Sequence, residues 1–239
     1  MARGPALAYA LAASAARLPR SPRRCGQQPT IEESDVMKTP ANYRPLVLGL
    51  ACATFSAAAV AAPMTYEMDS NHTYPSFEAD HMGGLSKWRG KVNSSHGKIM
   101  LDKENQSGSV DVTMDMKTID FGNDGLNEHA QTPDLFDTAK YPTAHYTGKL
   151  VKWQDGAPTA VDGELTLHGV TKPVMLTISS FKCIPSPQQK GKERCGATAM
   201  TQLQRDDFGV DFGKAFGFDM GVTLRISTEA VSAEMVSAN

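Results

Sequence analysis

The sequence predicts an all-β domain, an antiparallel sandwich or barrel of about eight strands with one short helical insert. Three observations carry this. Apolar residues recur with period two in short runs after residue 62. Gly, Asn, Asp and Pro separate the runs, and neighbouring runs lie close enough to form hairpins. No long stretch sustains a helical period.

The run from Val161 to Ile178 shows the pattern most clearly. Val161, Gly163, Leu165 and Leu167 fall on one face of an extended strand, and Asp162, Glu164, Thr166 and His168 on the other. Gly169 breaks the alternation, and Val174, Leu176 and Ile178 resume it. A hairpin with its turn around Gly169 to Lys172 is expected, since glycine accepts positive φ and Pro173 cannot donate to a ladder. One hairpin cannot bury its own apolar face, so the other runs must cover it.

Taken in order, the chain opens with residues 1–36, rich in Ala, Arg and Pro and without a sustained period. They read as an upstream extension or a disordered leader. Residues 37–61 read as a secretory signal peptide. Met37 is followed by Lys38 and Arg44, then by an apolar, alanine-rich run ending in Ala59-Val60-Ala61. That run is too short and too alanine-rich for a stable membrane span. The folded domain is therefore expected over 62–239, exported to the bacterial periplasm.

Within it, Phe77, Ala79 and His81 share one strand face, opposite Glu78 and Asp80. Trp88, Gly90 and Val92 continue after the Met82-Gly83-Gly84 turn. Ile99 and Leu101 mark the next run, then Val110, Val112, Met114 and Met116 alternate with Asp111, Thr113 and Asp115. Residues 123–142 interrupt the period. They suit one or two short helical turns capped by Thr132 or Asp134 and stopped at Tyr141-Pro142. Tyr146 and Leu150 lie on a strand ending near Trp153. After the central hairpin, Ala197 to Leu203 and then Val222, Leu224 and Ile226 complete the set. Ala and Gly among the large residues of the dry faces leave room for a cavity.

Charge and cysteine usage narrow the function. Of 24 basic and 26 acidic residues, seven and three precede residue 62, leaving 17 and 23. A net charge of −6 argues against nucleic acid and an anionic membrane surface as partners. Cys183 and Cys195 flank a polar, turn-rich loop, which in an exported protein points to a disulfide. A metal site would need further ligands nearby.

Chemistry-bearing motifs are sparse. His72, His81, His96, His129, His145 and His168 are scattered singly, without zinc-binding or haem-binding spacing. No Gly-x-Ser-x-Gly elbow occurs, and Asp207-Phe208-Gly209 stands without other kinase motifs. No catalytic residue, metal or cofactor is expected. His81 reads either as a hydrogen-bonded residue near a barrel mouth or as a contact to a ligand's head group.

The chain resembles the YceI-like family of exported polyisoprenoid-binding proteins. The resemblance lies in Asp69, His72-Thr73, Phe77, Ala79, His81-Met82-Gly83 and Gly90, in His129 before Asp134-Leu135-Phe136-Asp137, and in Tyr141-Pro142. It continues through Leu165 to Val174 and Arg205 to Gly209. It departs at Pro75, expected to shorten the first strand, at Asn127-Glu128, and in the added loop between Cys183 and Cys195. The resemblance implies a lipocalin-like, eight-stranded antiparallel barrel around an apolar cavity. The implied partner is a long amphipathic lipid, either a polyisoprenoid or an isoprenoid quinone. The expected lining is Phe77, Trp88, Val112, Met114, Met116, Phe136, Tyr146, Leu165, Leu167, Leu176 and Phe208, with His81 and His129 as possible head-group contacts. Two rivals remain. One is a fully packed barrel docking a partner through exposed apolar residues of 215–220, which include Phe216 and Phe218. The other is a lipid-acting enzyme.

Overall fold

A computed structural model describes residues 63–234. The leader and signal-peptide expectations therefore fall outside the described residues. The described strands are β1 (Met64–Met68), β2 (Tyr74–His81), β3 (Ser86–Val92), β4 (Ser95–Asp102), β5 (Ser107–Asp115) and β6 (Ile119–Asp120). They continue with β7 (Thr143–Gln154), β8 (Ala157–Leu167), β9 (Val170–Pro185), β10 (Glu193–Gln204) and β11 (Gly221–Ser232). The helix is α1 (Asp124–Ala130).

The ring runs β1-β4-β5-β7-β8-β9-β10-β11, and β11 pairs back onto β1. These eight strands close an antiparallel barrel, which removes the exposed edges of an open sheet. The remaining three strands lengthen existing staves. β11 pairs β1 through Ala230 to Ser232 and β2 through Val222 to Ser227. In the same way β3 precedes β4, and β6 follows β5. Three staves are thus interrupted along their length.

The first interruption lies at Asp69 to Thr73, ahead of Pro75 rather than at it. Asp69 caps a single 3-10 turn, accepting from the Asn71 N–H at 3.0 Å, and Arg194 Nη1 holds the same carboxylate at 2.7 Å. Pro75 lies inside β2 opposite Ile226 and does not shorten it.

The central hairpin forms as its alternation requires, but its turn is earlier than expected. His168 (φ 51°) and Gly169 (φ 77°) make a two-residue connection in which both residues are left-handed. Val170 to Pro173 already belong to β9, opposite Leu167 to Glu164. Pro173 is tolerated there because pairing with β10 begins only at Thr177.

The helical insert also differs in detail. Asn123, not Thr132 or Asp134, caps α1 by accepting from the Leu126 N–H at 3.0 Å. Residues 132–137 form turns, with the Leu135 and Asp137 N–H groups donating to the Thr132 carbonyl. The insert delivers Ala130, Leu135 and Phe136 to an apolar cluster with Val92, Met116, Ile119 and Ala144. A second cluster along the barrel contains Tyr66, Leu101, Tyr146, Leu150, Val161, Leu165, Val174 and Leu176.

Cys183 and Cys195 are direct cross-strand partners in β9 and β10 and form the disulfide. The bridge therefore staples the hairpin at the base of the loop. Among the described residues no helix is long and apolar enough to cross a membrane.

Candidate ligand cavity

The inward faces of the staves do not fill the barrel. They enclose a cavity of about 480 Å³ with an overwhelmingly apolar wall. Phe77 on β2, Trp88 on β3, Val112 and Met114 on β5, and Met116 just after it all line this space. So do Phe136 of the insert, Tyr146 on β7, Leu165 and Leu167 on β8, and Leu176 on β9. Phe208 does not. It belongs to the 3-10 turn Arg205–Phe208, is 1 % exposed, and packs into the core, while its carbonyl lies 3.2 Å from His168 Nδ1. An apolar residue that faces inward can end in packed core as readily as in a cavity wall, and sequence does not separate the two.

Other lining residues fall in two groups. Ile99, Leu101, Val110, Val222, Leu224 and Ile226 lie on the alternating faces already visible in the sequence. Phe121, Leu126, Leu135, Phe212 and Phe218 come from the connections and carry no periodic signal. Phe218 turns inward, which removes it from the exposed patch expected over 215–220; Met220 is buried as well. Phe216 alone of these three is exposed.

Close packing shapes the wall. A Cβ at Gly163 would stand 2.5 Å from the Tyr146 hydroxyl and 2.4 Å from the Thr147 carbonyl oxygen. The missing side chain lets the Tyr146 ring lie flat against the strand. Its hydroxyl then donates to the Val174 carbonyl at 2.9 Å, so the polar tip of an otherwise apolar side chain is satisfied. Burial, with Asp162 adding to it, raises the Tyr146 pKa.

The acidic, basic and imidazole side chains of the wall, Asp80, His81, His129 and Arg205, gather at the end that carries the helical insert. His81 stacks on Trp88 with ring centroids 4.4 Å apart and meets Phe218 edge-on at 5.5 Å. His129 meets Phe212 edge-on at 4.8 Å, with Nε2 3.3 Å from Asp134 Oδ2. Arg205 donates to the Val210 and Phe212 carbonyls at 2.8 and 2.6 Å, folding the 205–212 segment around its guanidinium. Burial lowers its pKa, against the opposing pull of Asp206, Asp211, Asp80 and Asp219. Asp80 accepts from the Asp219 and Gly84 N–H groups at 3.1 and 2.8 Å, and these bonds hold its carboxyl below the usual range.

At the opposite end the Tyr66 hydroxyl donates to Glu193 Oε2 at 2.5 Å, and Lys103 Nζ reaches the same carboxylate at 2.6 Å. Burial raises the Tyr66 pKa, with the Glu193 bond adding to it. Glu193 also lies beside Cys183 and Cys195, the metal-type grouping found among the described residues. Both sulfurs are consumed by the disulfide, so this group offers no thiolate pair to an ion.

An antiparallel barrel closed around a largely apolar cavity is the architecture that encloses a ligand within its staves. The chain belongs to the YceI-like family, whose domain model matches residues 66–230. Protein YceI of Escherichia coli is 34% identical over 191 residues, covering 77% of this chain and 96% of that protein. Protein YceI of Shigella flexneri is 33% identical over the same length and shares. Among solved structures, the Campylobacter jejuni YCEI protein is 24% identical, with a TM-score of 0.54 over 63% of this chain and 88% of its own. A polyisoprenoid binding domain from Saccharophagus degradans is 15% identical, with a TM-score of 0.52 over 71% and 99%. At these identities the two structures speak for the fold.

Proposed function

We propose that this chain is an exported, periplasmic binder or carrier of a long amphipathic lipid, a polyisoprenoid or an isoprenoid quinone, held inside the barrel. The carrying observation is the cavity itself. Its volume falls within the range of about 300–1,000 Å³ in which small-molecule sites lie. A wall of Phe, Met, Leu, Ile and Val gives a tail no directional partner but removes it from water, on the order of 2.5 kcal/mol for each 100 Å² of apolar surface. Met114 and Met116 adapt their shape to a flexible chain. The tail lies along Val112, Tyr146, Leu165 and Leu176, and the head group lies at the end holding His81 and His129.

The disulfide agrees with an oxidising compartment. Binding is favoured over catalysis because the charged groups of the wall, Arg205 and Asp80, are engaged with backbone and hold loops.

Trp88 reports on the cavity from its wall. In a Trp153→Phe background, titration with an isoprenoid quinone should quench Trp88 fluorescence to saturation. Replacing His81 and His129 by Gln should weaken a quinone more than a plain polyprenol. No saturable quenching, at concentrations where a quinone stays dispersed, would count against the reading.

A further inference from the structure

Among the described residues, three large apolar side chains are more than half exposed: Met82 at 58%, Leu85 at 75% and Phe216 at 77%. They come from two segments distant in sequence. Met82 and Leu85 lie in the β2–β3 turn, and Phe216 ends the short 3-10 turn Lys214–Phe216. The two segments touch, since a Cβ at Gly83 would stand 3.0 Å from the Gly217 carbonyl oxygen. Asp80 ties them together through the Gly84 and Asp219 N–H groups. A buried carboxylate thus holds two exposed loops side by side.

The patch continues into the cavity wall. Met82 follows His81, and Phe216 is two residues from Phe218. His81 and Phe218 both line the cavity and meet edge-on at 5.5 Å. Scattered apolar residues on a surface need no explanation, whereas a braced cluster beside an apolar cavity marks a place of contact.

We propose that this rim docks on a lipid bilayer, with Met82, Leu85 and Phe216 entering the acyl region so that ligand passes between membrane and cavity. The inference rests on the lipid-binding reading above. Two features favour a bilayer over a protein. Even at the roughly 150–250 Å² that an aromatic side chain buries, three side chains fall short of the about 800 Å² per partner of a stable protein interface. Shallow insertion of the same side chains gives reversible attachment. Lys87 and Lys214 flank the patch, more than half exposed and paired with Asp80 and Asp206. Their apolar stems can lie along the interface with the ammonium groups at phosphate level. Asp80, Asp206, Asp207, Asp211 and Asp219 outnumber Lys87, Arg205 and Lys214 around the rim, so attachment depends on the apolar tips rather than on attraction to anionic lipid.

The test compares the protein as recovered from cells with its Met82→Gln/Leu85→Gln/Phe216→Gln variant. Vesicles of phosphatidylethanolamine and phosphatidylcholine carry a fluorescent polyprenol. The variant should lose at least about tenfold in vesicle flotation and in polyprenol transfer rate. It should keep its melting temperature and its affinity for polyprenol delivered in detergent. Equal flotation and transfer, with detergent-delivered binding intact, overturns the docking rim. Flotation that requires membrane proteins in the vesicles assigns the rim to a protein and overturns it too. If neither protein binds detergent-delivered polyprenol, the lipid-binding reading fails first, and the rim proposal fails with it.

Discussion

Tyr146 occupies the space that a side chain at Gly163 would need. The would-be Cβ lies 2.5 Å from the hydroxyl on one side and 2.4 Å from the Thr147 carbonyl on the other. The ring could swing away, but the carbonyl belongs to the β7–β8 ladder and cannot. Gly163→Ala should therefore cost about 1–3 kcal/mol, the usual range for overpacking. Chemical denaturation measures it. An unchanged midpoint would mean that the wall has slack where the close approach implies none.

Val112 faces the cavity from β5, where there is room. Val112→Phe should be tolerated, with little change in melting temperature, because the larger ring fills space rather than displacing neighbours. Ligand uptake should fall at least about tenfold, since two or three buried methylene equivalents of ligand, each worth about 0.8 kcal/mol, lose their place. Isothermal titration with an isoprenoid quinone checks the affinity, and thermal denaturation checks the fold. A packed core would respond the other way, losing stability on enlargement.

The Cys183–Cys195 bridge closes a loop of sequence separation 12. Replacing both cysteines by Ser should lower stability by about 2–4 kcal/mol, mostly by freeing the unfolded chain. Barrel topology should survive, because both residues lie within the β9–β10 ladder rather than at its only contact. Urea unfolding of the two proteins gives the difference, and equal midpoints would contradict it.

Asp69, Asp80 and Asp120 have carboxyls held below their ordinary pKa by, in turn, Arg194, the Asp219 N–H and the Gly122 N–H. Each therefore binds a proton more weakly in the folded state than in the unfolded one. Their stabilisation is complete above the unfolded carboxylate pKa of about 3.9 and is lost as pH falls through the lower folded values. The melting temperature should drop steadily below about pH 4. Asp80→Asn should flatten that drop while lowering stability at neutral pH. A melting temperature constant from pH 7 to pH 3 would contradict this account.

Much of the barrel was legible because its staves are one face dry and one face wet. Val161 to Leu167 and Val110 to Met116 show period two without a break, and a strand is the chain's simplest way to use it. β1 was not legible. It spans five residues, and its one fully buried member, Tyr66, shows no alternation by itself. The β8–β9 turn was misplaced because Gly-Val-Thr-Lys-Pro carries turn residues, while the left-handed backbone of His168 leaves no mark in sequence. The cavity wall divides in the same way. Strand residues such as Leu165 and Leu176 could be named from their faces, but Phe121, Phe212 and Phe218 depend on how connections fold over the barrel's end. Phe208 shares its residue type with the wall, but it sits on the 3-10 turn Arg205–Phe208 and packs into the core rather than facing the cavity.

The central claim is that the cavity carries a lipid rather than standing as incompletely packed core. Organic extraction of the natively purified protein, followed by mass spectrometry, tests it most directly. An isoprenoid or comparable long-chain lipid should appear near one per chain in the wild type and be strongly depleted in Val112→Phe prepared in parallel. No lipid in repeated native preparations, or equal amounts in both proteins, would contradict it.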